Sequence, residues 1–572
     1  EEEEEKIDAG APRQNKKLQA LNLTAMETQR LRELTEKSLK GDIQEFTMVL
    51  EKIYLGKFPI MLQSNFCVLN GLPKEIRSSF GECRNDNGGY FIIDGKEKTV
   101  VSQEKFADNM LYIRKDNNDK YLYSAEMRSV SENVSKPKRT ISIKIVAPTK
   151  TLSNLNIVVV VPQVKKPLPL FILFRALGVI SDKDIIQHCL LDINSNLKYL
   201  DLFIPSVHDS GGIFTQQMAL KYIATLTKWR TVPYVLEVLN DYLFPHIGET
   251  TYKQKALYLG YIVKKLLKVY IGEEQPTDRD NYKYKRVELI GSLINDLFLE
   301  YYKIQNKKIF TFLDTVLNTN KSIFENDLYG LVNLNYKNAF DKKIVEKGFK
   351  DAFKGSWGAE SHTKRVGILQ DLNRLSHNSM LSHLRKTNLP LDPTAKIVGP
   401  RLLNGSQWGF FDPIDTPDGG NIGLHKHLAI STYITKGISK EPIIKWAIKN
   451  ISLKLIEDCN FHELNTYTKL IINGCWIGMI EKPIESTKKM KLYRRNSLLP
   501  IYLSISFNIS DNIIYIYSDS GRLSRPLFYV DDNKLSYENS KILKKIEEQD
   551  FKWDDLISGL NKKKIDNFNP ND

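Results

Sequence analysis

Three carboxylates, Asp412, Asp415 and Asp418, fall within seven residues, set among Pro413 and Pro417 and followed by Gly419 and Gly420. Carboxylates at that density could hold a divalent cation. The alternating ligands and closing glutamate of a calcium loop are missing, however, and prolines fix a backbone rather than wrap it round an ion, so the residues read better as turns. Just upstream, Arg385 and Lys386 within Ser382–Asn388, and Arg401 after Gly399-Pro400, concentrate cations in a segment too irregular for a solvated helix face. Arginine on a rigid loop offers forked donors that match phosphate oxygens. Pairing with carboxylates elsewhere in the chain stands as the alternative. His425 and His427 flank Lys426 with no third ligand nearby in sequence, and two histidines alone do not make a metal site. No phosphate-binding P-loop, HExxH or GxSxG pattern occurs, so self-contained catalysis is not expected.

These residues lie in a stretch from Trp357 to about Thr435 where glycine and proline are frequent and periodicity fades, which describes a segment held in shape by its surroundings. Before it, Tyr90-Phe91-Ile92-Ile93 runs into Asp94-Gly95, a dipeptide suited to the positive φ of a tight turn, and a β-hairpin is predicted near 88–101. Ile141, Ile143 and Ile145 alternate with polar neighbours as in a half-buried strand, and Asn156–Val161 reads as a fully buried one. Three- and four-residue apolar spacing predicts amphipathic helices over Lys253–Ile271 and Arg286–Tyr302, and a helix-rich lobe between about 165 and 305. Met26–Lys37 suits an exposed helix. Beyond 435, Leu470–Ile480 and Asn512–Tyr517 suggest a small β-rich module with a charged tail helix over Lys541–Lys564.

With 572 residues the chain exceeds one domain, and Lys+Arg outnumber Asp+Glu by 82 − 68 = 14, a surplus that favours a polyanionic partner. Frequent isoleucine, lysine, asparagine and tyrosine fit an AT-rich coding sequence, which weakens the charge argument. Five scattered cysteines without a CxxC pair argue against a disulfide framework or a zinc site and imply a reducing compartment. No apolar run approaches the roughly 18 residues of a membrane span, so no membrane partner is expected.

The segment Gln407-Trp408-Gly409-Phe410-Phe411-Asp412-Pro413-Ile414-Asp415-Thr416-Pro417-Asp418-Gly419-Gly420-Asn421-Ile422-Gly423-Leu424 resembles the fork signature of second-largest RNA polymerase subunits, a Trp/Tyr-Gly followed by Pro-x-Glu-Thr-Pro-Glu-Gly. Further landmarks occur in family order at Phe58–Leu62, Gly88–Lys98, Phe174–Gly178, Ser382–Asn388 and Gly521–Phe528. The resemblance implies an α+β multidomain chain: a mixed protrusion over 1–112 and 286–356, an inserted helix-rich lobe over 113–285, an irregular fork over 357–434 and a β-rich external module with its tail over 435–572. It places Arg385, Lys386 and Arg401 near nucleic acid and nucleotide, and gives Asp415 and Asp418, each one methylene shorter than the family's glutamates, a tuning role beside the active centre. No catalytic residue is assigned to this chain.

The same resemblance implies template-directed RNA synthesis as a nucleotidyltransferase subunit, with the largest and the smaller polymerase subunits, double-stranded DNA, nascent RNA and NTPs as partners. Magnesium is expected mainly on the largest subunit, none in this chain, and zinc only in a C-terminal half that would follow residue 572. The Asp pair and the Gly-Gly-Asn-Ile-Gly-Leu ending resemble polymerases of large cytoplasmic DNA viruses, implying viral transcription in the host cytoplasm or virion, with the nucleus as the alternative. The competing reading is a non-catalytic nucleic-acid-binding scaffold derived from such a subunit.

Overall fold

A computed structural model describes residues 48–116, 118–133, 136–149, 154–321, 327–340, 343–531, 533–536, 540–550 and 565–572. The chain forms two compact units, one from Glu1–Glu104, Glu288–Leu391 and Leu424–His427, the other from Lys105–Val287, Asp392–Gly423 and Leu428–Asp572. Helices and several small sheets mix throughout, an α+β architecture. No described helix is long and apolar enough to cross a membrane.

The first unit is built on the predicted hairpin. Asp94 and Gly95 both take positive φ, 50° and 76°, and Ile93 pairs with Lys96 across the two-residue turn, the geometry whose twist matches that of the flanking strands. Leu369–Asp371 adds a third strand antiparallel to Lys96–Val100. Phe91 packs edge-on against Phe353, ring centroids 5.0 Å apart, in a core completed by Leu293 and Leu297 of the helix Ile290–Thr319 and Phe349 of the helix Ile344–Ala352. Each such buried apolar side chain contributes about 1.5–3 kcal/mol. The two helices close tightly because residue 348 is glycine: a Cβ there would stand 2.4 Å from the Tyr301 ring.

The helix predicted over Arg286–Tyr302 starts later and ends later than its periodicity indicated. Lys285–Glu288 is a buried strand, and the helix runs from Ile290 to Thr319. Buried Arg286 finds its counter-charge 233 residues away at Asp519, with Nε donating at 2.6 Å. Local hydropathy does not contain a partner that distant.

The second unit opens with five antiparallel strands in sequence order, Leu111–Lys115, Tyr121–Ser129, Arg139–Val146, Ile157–Val160 and Leu168–Pro169. Ile141, Ile143 and Ile145 turn their side chains into the core as their alternation requires. Helices from Leu170–Ala176 to Tyr252–Ile271 cover them. The last of these approaches the helix Asp182–Leu190 so closely that a Cβ on Gly260 would lie 2.2 Å from the His188 carbonyl oxygen.

The region after 435 is not simply β-rich. Its five-stranded sheet, in the order Lys454–Leu455, Cys475–Ile480, Thr468–Ile472, Ile513–Tyr517, Ser504–Asn508, packs against the helices Glu441–Ile451 and Pro483–Arg495 through Ile443, Ala447, Leu470, Met490 and Ile514. Its other face, with Ile471, Trp476, Met479 and Ile513, joins the core of the helical lobe. Met26–Lys37 lies outside the described residues, as does part of the tail, of which Ser540–Glu547 is helical.

Candidate nucleic-acid interface

In the first unit, the candidate residues lie where a helix end feeds a strand. Ser376 Oγ caps the helix His377–Leu384 by accepting from the Ser379 N–H at 3.1 Å. Arg385 ends it, its backbone N–H reaching the carbonyls of Leu381 and Ser382, and burial draws its guanidinium pKa down. The chain then extends as Lys386–Asn388, pairing antiparallel with His425–His427, Lys386 opposite His427, and parallel to the strand at Ser102 and Gln103.

The period of two along a strand separates the residues of the His-Lys-His run. Lys426 turns inward, where Nζ meets Glu104 at 3.1 Å with the two side chains 6% and 0% exposed. His425 and His427 are half-buried, and His425 Nδ1 lies 2.5 Å from Asn388 Oδ1. Burial, then Lys386 and His427, push the His425 pKa down to about 4. His383 is lowered by burial and the same two neighbours. Its Nδ1 accepts from the Asn373 N–H at 3.1 Å, so Nε2 carries the proton toward Gln370 Oε1 at 2.9 Å. Near neutral pH, His383 and His425 are therefore uncharged, and the positive field of this element belongs to Arg385 and Lys386. Among the described residues, no three His, Cys, Asp or Glu side chains are grouped to hold a metal.

Arg401, Asp415 and Asp418 belong to the second unit, in the segment Asp392–Gly423. Arg401 closes a short 3-10 turn, Gly399–Arg401, and its guanidinium faces backbone. Nη1 donates to the carbonyls of Gly420 at 2.6 Å and Ile422 at 3.1 Å, and Nη2 to Pro393 at 2.9 Å and Ala395 at 3.5 Å. Those four N–H groups staple the two ends of the segment together. Phosphate would have to compete for them.

The staple works because Gly423 is a glycine. At φ 69° a Cβ there would lie 2.3 Å from the Arg401 carbonyl oxygen, and its N–H instead donates to Thr416 Oγ1 at 2.9 Å. Asp412 Oδ1 accepts from the N–H groups of Ile414 and Asp415 at 2.9 and 3.3 Å, turning the chain at Pro413. Asp412, Thr416 and Gly423 thus shape the loop, and only the Asp-Pro step signalled that role in sequence. Asp415 and Asp418 are exposed, Asp418 at the start of the turn Gly419–Asn421 without capping it. Trp408 and Ile414 are exposed at 67% and 85%.

Comparison with known proteins gives these parts a common ancestry. The family described as RNA polymerase beta subunit matches residues 14–337, more than half of the chain. RNA polymerase Rpb2 domain 3 matches 370–434, which contains Arg385, Lys386, Arg401, Asp415 and Asp418, and Rpb2 domain 4 matches 470–531. DNA-directed RNA polymerase II subunit RPB2 of Encephalitozoon cuniculi is 34% identical over 519 residues, covering 89% of this chain and 44% of the relative. The corresponding subunit 2 of Arabidopsis thaliana is 34% identical, covering 86% and 41%. DNA-directed RNA polymerase III subunit RPC2 of Schizosaccharomyces pombe is 30% identical, covering 88% and 43%. The chain spans less than half the length of these relatives. Domain matches in family order, on a chain whose loop 392–423 is shaped from within by Arg401, Asp412 and Thr416, establish it as a member of the RNA polymerase second-largest (beta) subunit family.

Proposed function

We propose that this chain serves template-directed RNA synthesis as part of a DNA-directed RNA polymerase, with its fork-like segment placed beside the active centre. The observation that carries the reading is the stapled loop 392–423, which holds Asp415, Asp418 and Trp408 outward on a backbone fixed by Arg401, within the segment that matches Rpb2 domain 3. A shaped loop of this kind positions mobile neighbours rather than performing chemistry. Arg385 and Lys386 supply the cationic surface for a nucleic-acid backbone. In this reading the catalytic magnesium pair sits on the largest subunit, where two metals activate the attacking oxygen and stabilise the leaving one. That subunit, the smaller subunits, DNA, nascent RNA and NTPs are the partners. The Asp415/Asp418 substitutions further support a large cytoplasmic DNA virus as the source and its host's cytoplasm as the site of action.

Single-nucleotide addition on a preassembled RNA–DNA scaffold, using the polymerase that contains this chain, tests the placement. Arg401→Ala should slow addition by about tenfold or more while subunit assembly is unchanged. Arg401→Lys should rescue poorly, because one ammonium has too few donors in the wrong geometry for four carbonyls. The exposed lobe variant Lys221→Ala serves as control. Unchanged addition in Arg401→Ala would remove the fork from the active centre and favour the non-catalytic scaffold.

A further inference from the structure

The helix Tyr252–Ile271 carries Lys264, Lys265 and Lys268 along one flank, where it meets the strand Thr468–Ile472 bearing Lys469 and the turn bearing Asp511. These five side chains, with Trp476, contribute to the walls of a cavity of about 70 Å³. Four ammonium groups around so small a space require counter-charge, and the contacts show where it goes.

Asp511 accepts from Lys265 at 2.7 Å and from Lys268 at 3.5 Å, and Glu274 accepts from both lysines at 3.0 Å. Those four groups neutralise one another. Among the described residues, the one direct acceptor of Lys264 Nζ is the neutral Leu190 carbonyl, at 3.2 Å, with Asp192 and Glu273 acting on it from beyond contact. Lys469 has no carbonyl or carboxylate acceptor among the described residues; its ammonium lies over the Trp476 ring, 5.6 Å from the centroid. Among the described residues, neither ammonium is in direct contact with an anion. The Lys469 amine shows the consequence: burial first, then Lys264, Lys268 and Lys265, push its pKa down to about 8, and Asp511 alone among its charged neighbours pulls the other way. Lys264 is lowered too, by burial first and then Lys268, against the opposing pull of Asp192 and Glu273.

A cation is excluded by this field, and an apolar ligand would leave both ammonium groups unsatisfied. A cavity of this size exceeds by several-fold the roughly 10–15 Å³ that one water needs, but is far below the ~300 Å³ of a pocket for a drug-sized molecule. We propose that the cavity binds a single tetrahedral oxyanion of the phosphate class, as free phosphate or as the terminal phosphoryl group of a larger molecule, with Lys469 and Lys264 as its donors. An oxyanion's several acceptor oxygens match ammonium donors in charge-assisted hydrogen bonds.

Isothermal titration calorimetry of the whole chain with inorganic phosphate, pyrophosphate and ATP, at matched ionic strength, tests this. One saturable site is expected. Lys469→Met, which keeps the stem and removes the charge, should weaken it by about tenfold or more, Lys469→Arg by much less, and the surface variant Lys183→Met not at all. Lys264→Met should also weaken it, which provides a second test should Lys469→Met fail to fold as judged by near-UV circular dichroism. Phosphate binding as tightly as ATP identifies the free ion; tighter ATP binding, equally lost in Lys469→Met, identifies a terminal phosphoryl group. Absence of saturable binding to all three probes, or an affinity unmoved in a folded Lys469→Met or Lys264→Met chain, overturns the proposal.

Discussion

Lys426 and Glu104 stand 322 positions apart in sequence and meet almost wholly out of water. Removing one partner takes a counter-charge from the other inside the protein, whereas removing both with apolar residues of similar volume does not. Lys426→Met alone should therefore destabilise the chain by about 3–5 kcal/mol, and Lys426→Met with Glu104→Leu by far less, both read from denaturant unfolding. Additive losses would mean the pair is not coupled. Sequence showed Lys426 only as the middle of a His-Lys-His run, because a strand's alternation shows which side chains part company but not what each one finds. Arg401 is a similar case. Its charge and its rigid setting were legible; its partners are carbonyls, which every residue carries and no sequence pattern marks.

At the scale of the element, the hairpin Phe91–Val100 was the most legible feature, since Asp94-Gly95 encodes its turn locally. What braces it is not local. Arg374 forks onto Glu97 at 2.7 and 2.8 Å, reaches Asp86 at 3.2 Å and stacks over Tyr90, whose hydroxyl donates to Asp86 at 2.7 Å. The Arg374 hydrogen bonds hold the Glu97 carboxyl below its usual range. For Asp86, burial pulls the pKa upward, but the Gly88 N–H, Tyr90 and Arg374 together outweigh it and the net shift is downward. Carboxylates with depressed folded values lend stability that is complete above their ordinary pKa near 4 and is lost as pH falls through the lowered values. Arg374→Met should accordingly flatten the acid limb of the stability curve below about pH 4, with little change in its shape near neutrality. Hydrogen exchange of the hairpin amides across that range measures it, and parallel acid limbs in the two proteins would dismiss the brace. The helix 290–319 teaches the converse lesson. Its apolar spacing was visible, but its start was misplaced because Arg286 and Glu288 form a buried strand through partners distant in sequence.

For the molecule as a whole, two compact units with separate cores predict two heat-absorption steps in scanning calorimetry rather than one. Trp476→Ala, which opens the core shared by the lobe and the sheet after 435, should lower the midpoint of one step and leave the other in place. A single step whose calorimetric and van't Hoff enthalpies agree would contradict the division. Composition predicted several domains but could not join residues 105–287 to 428–572, because that joining rests on contacts such as Tyr261 with Tyr515, hydroxyls 3.3 Å apart and 254 positions apart in sequence. The same division bears on biosynthesis. The chain passes between the units after residues 104, 287, 391, 423 and 427, so the first unit lacks its last strand until residue 427 has left the ribosome. At roughly 5–20 residues per second, the hairpin at 91–100 is synthesised on the order of half a minute before the strand His425–His427, and through that interval the Glu104 carboxylate has no Lys426 to meet.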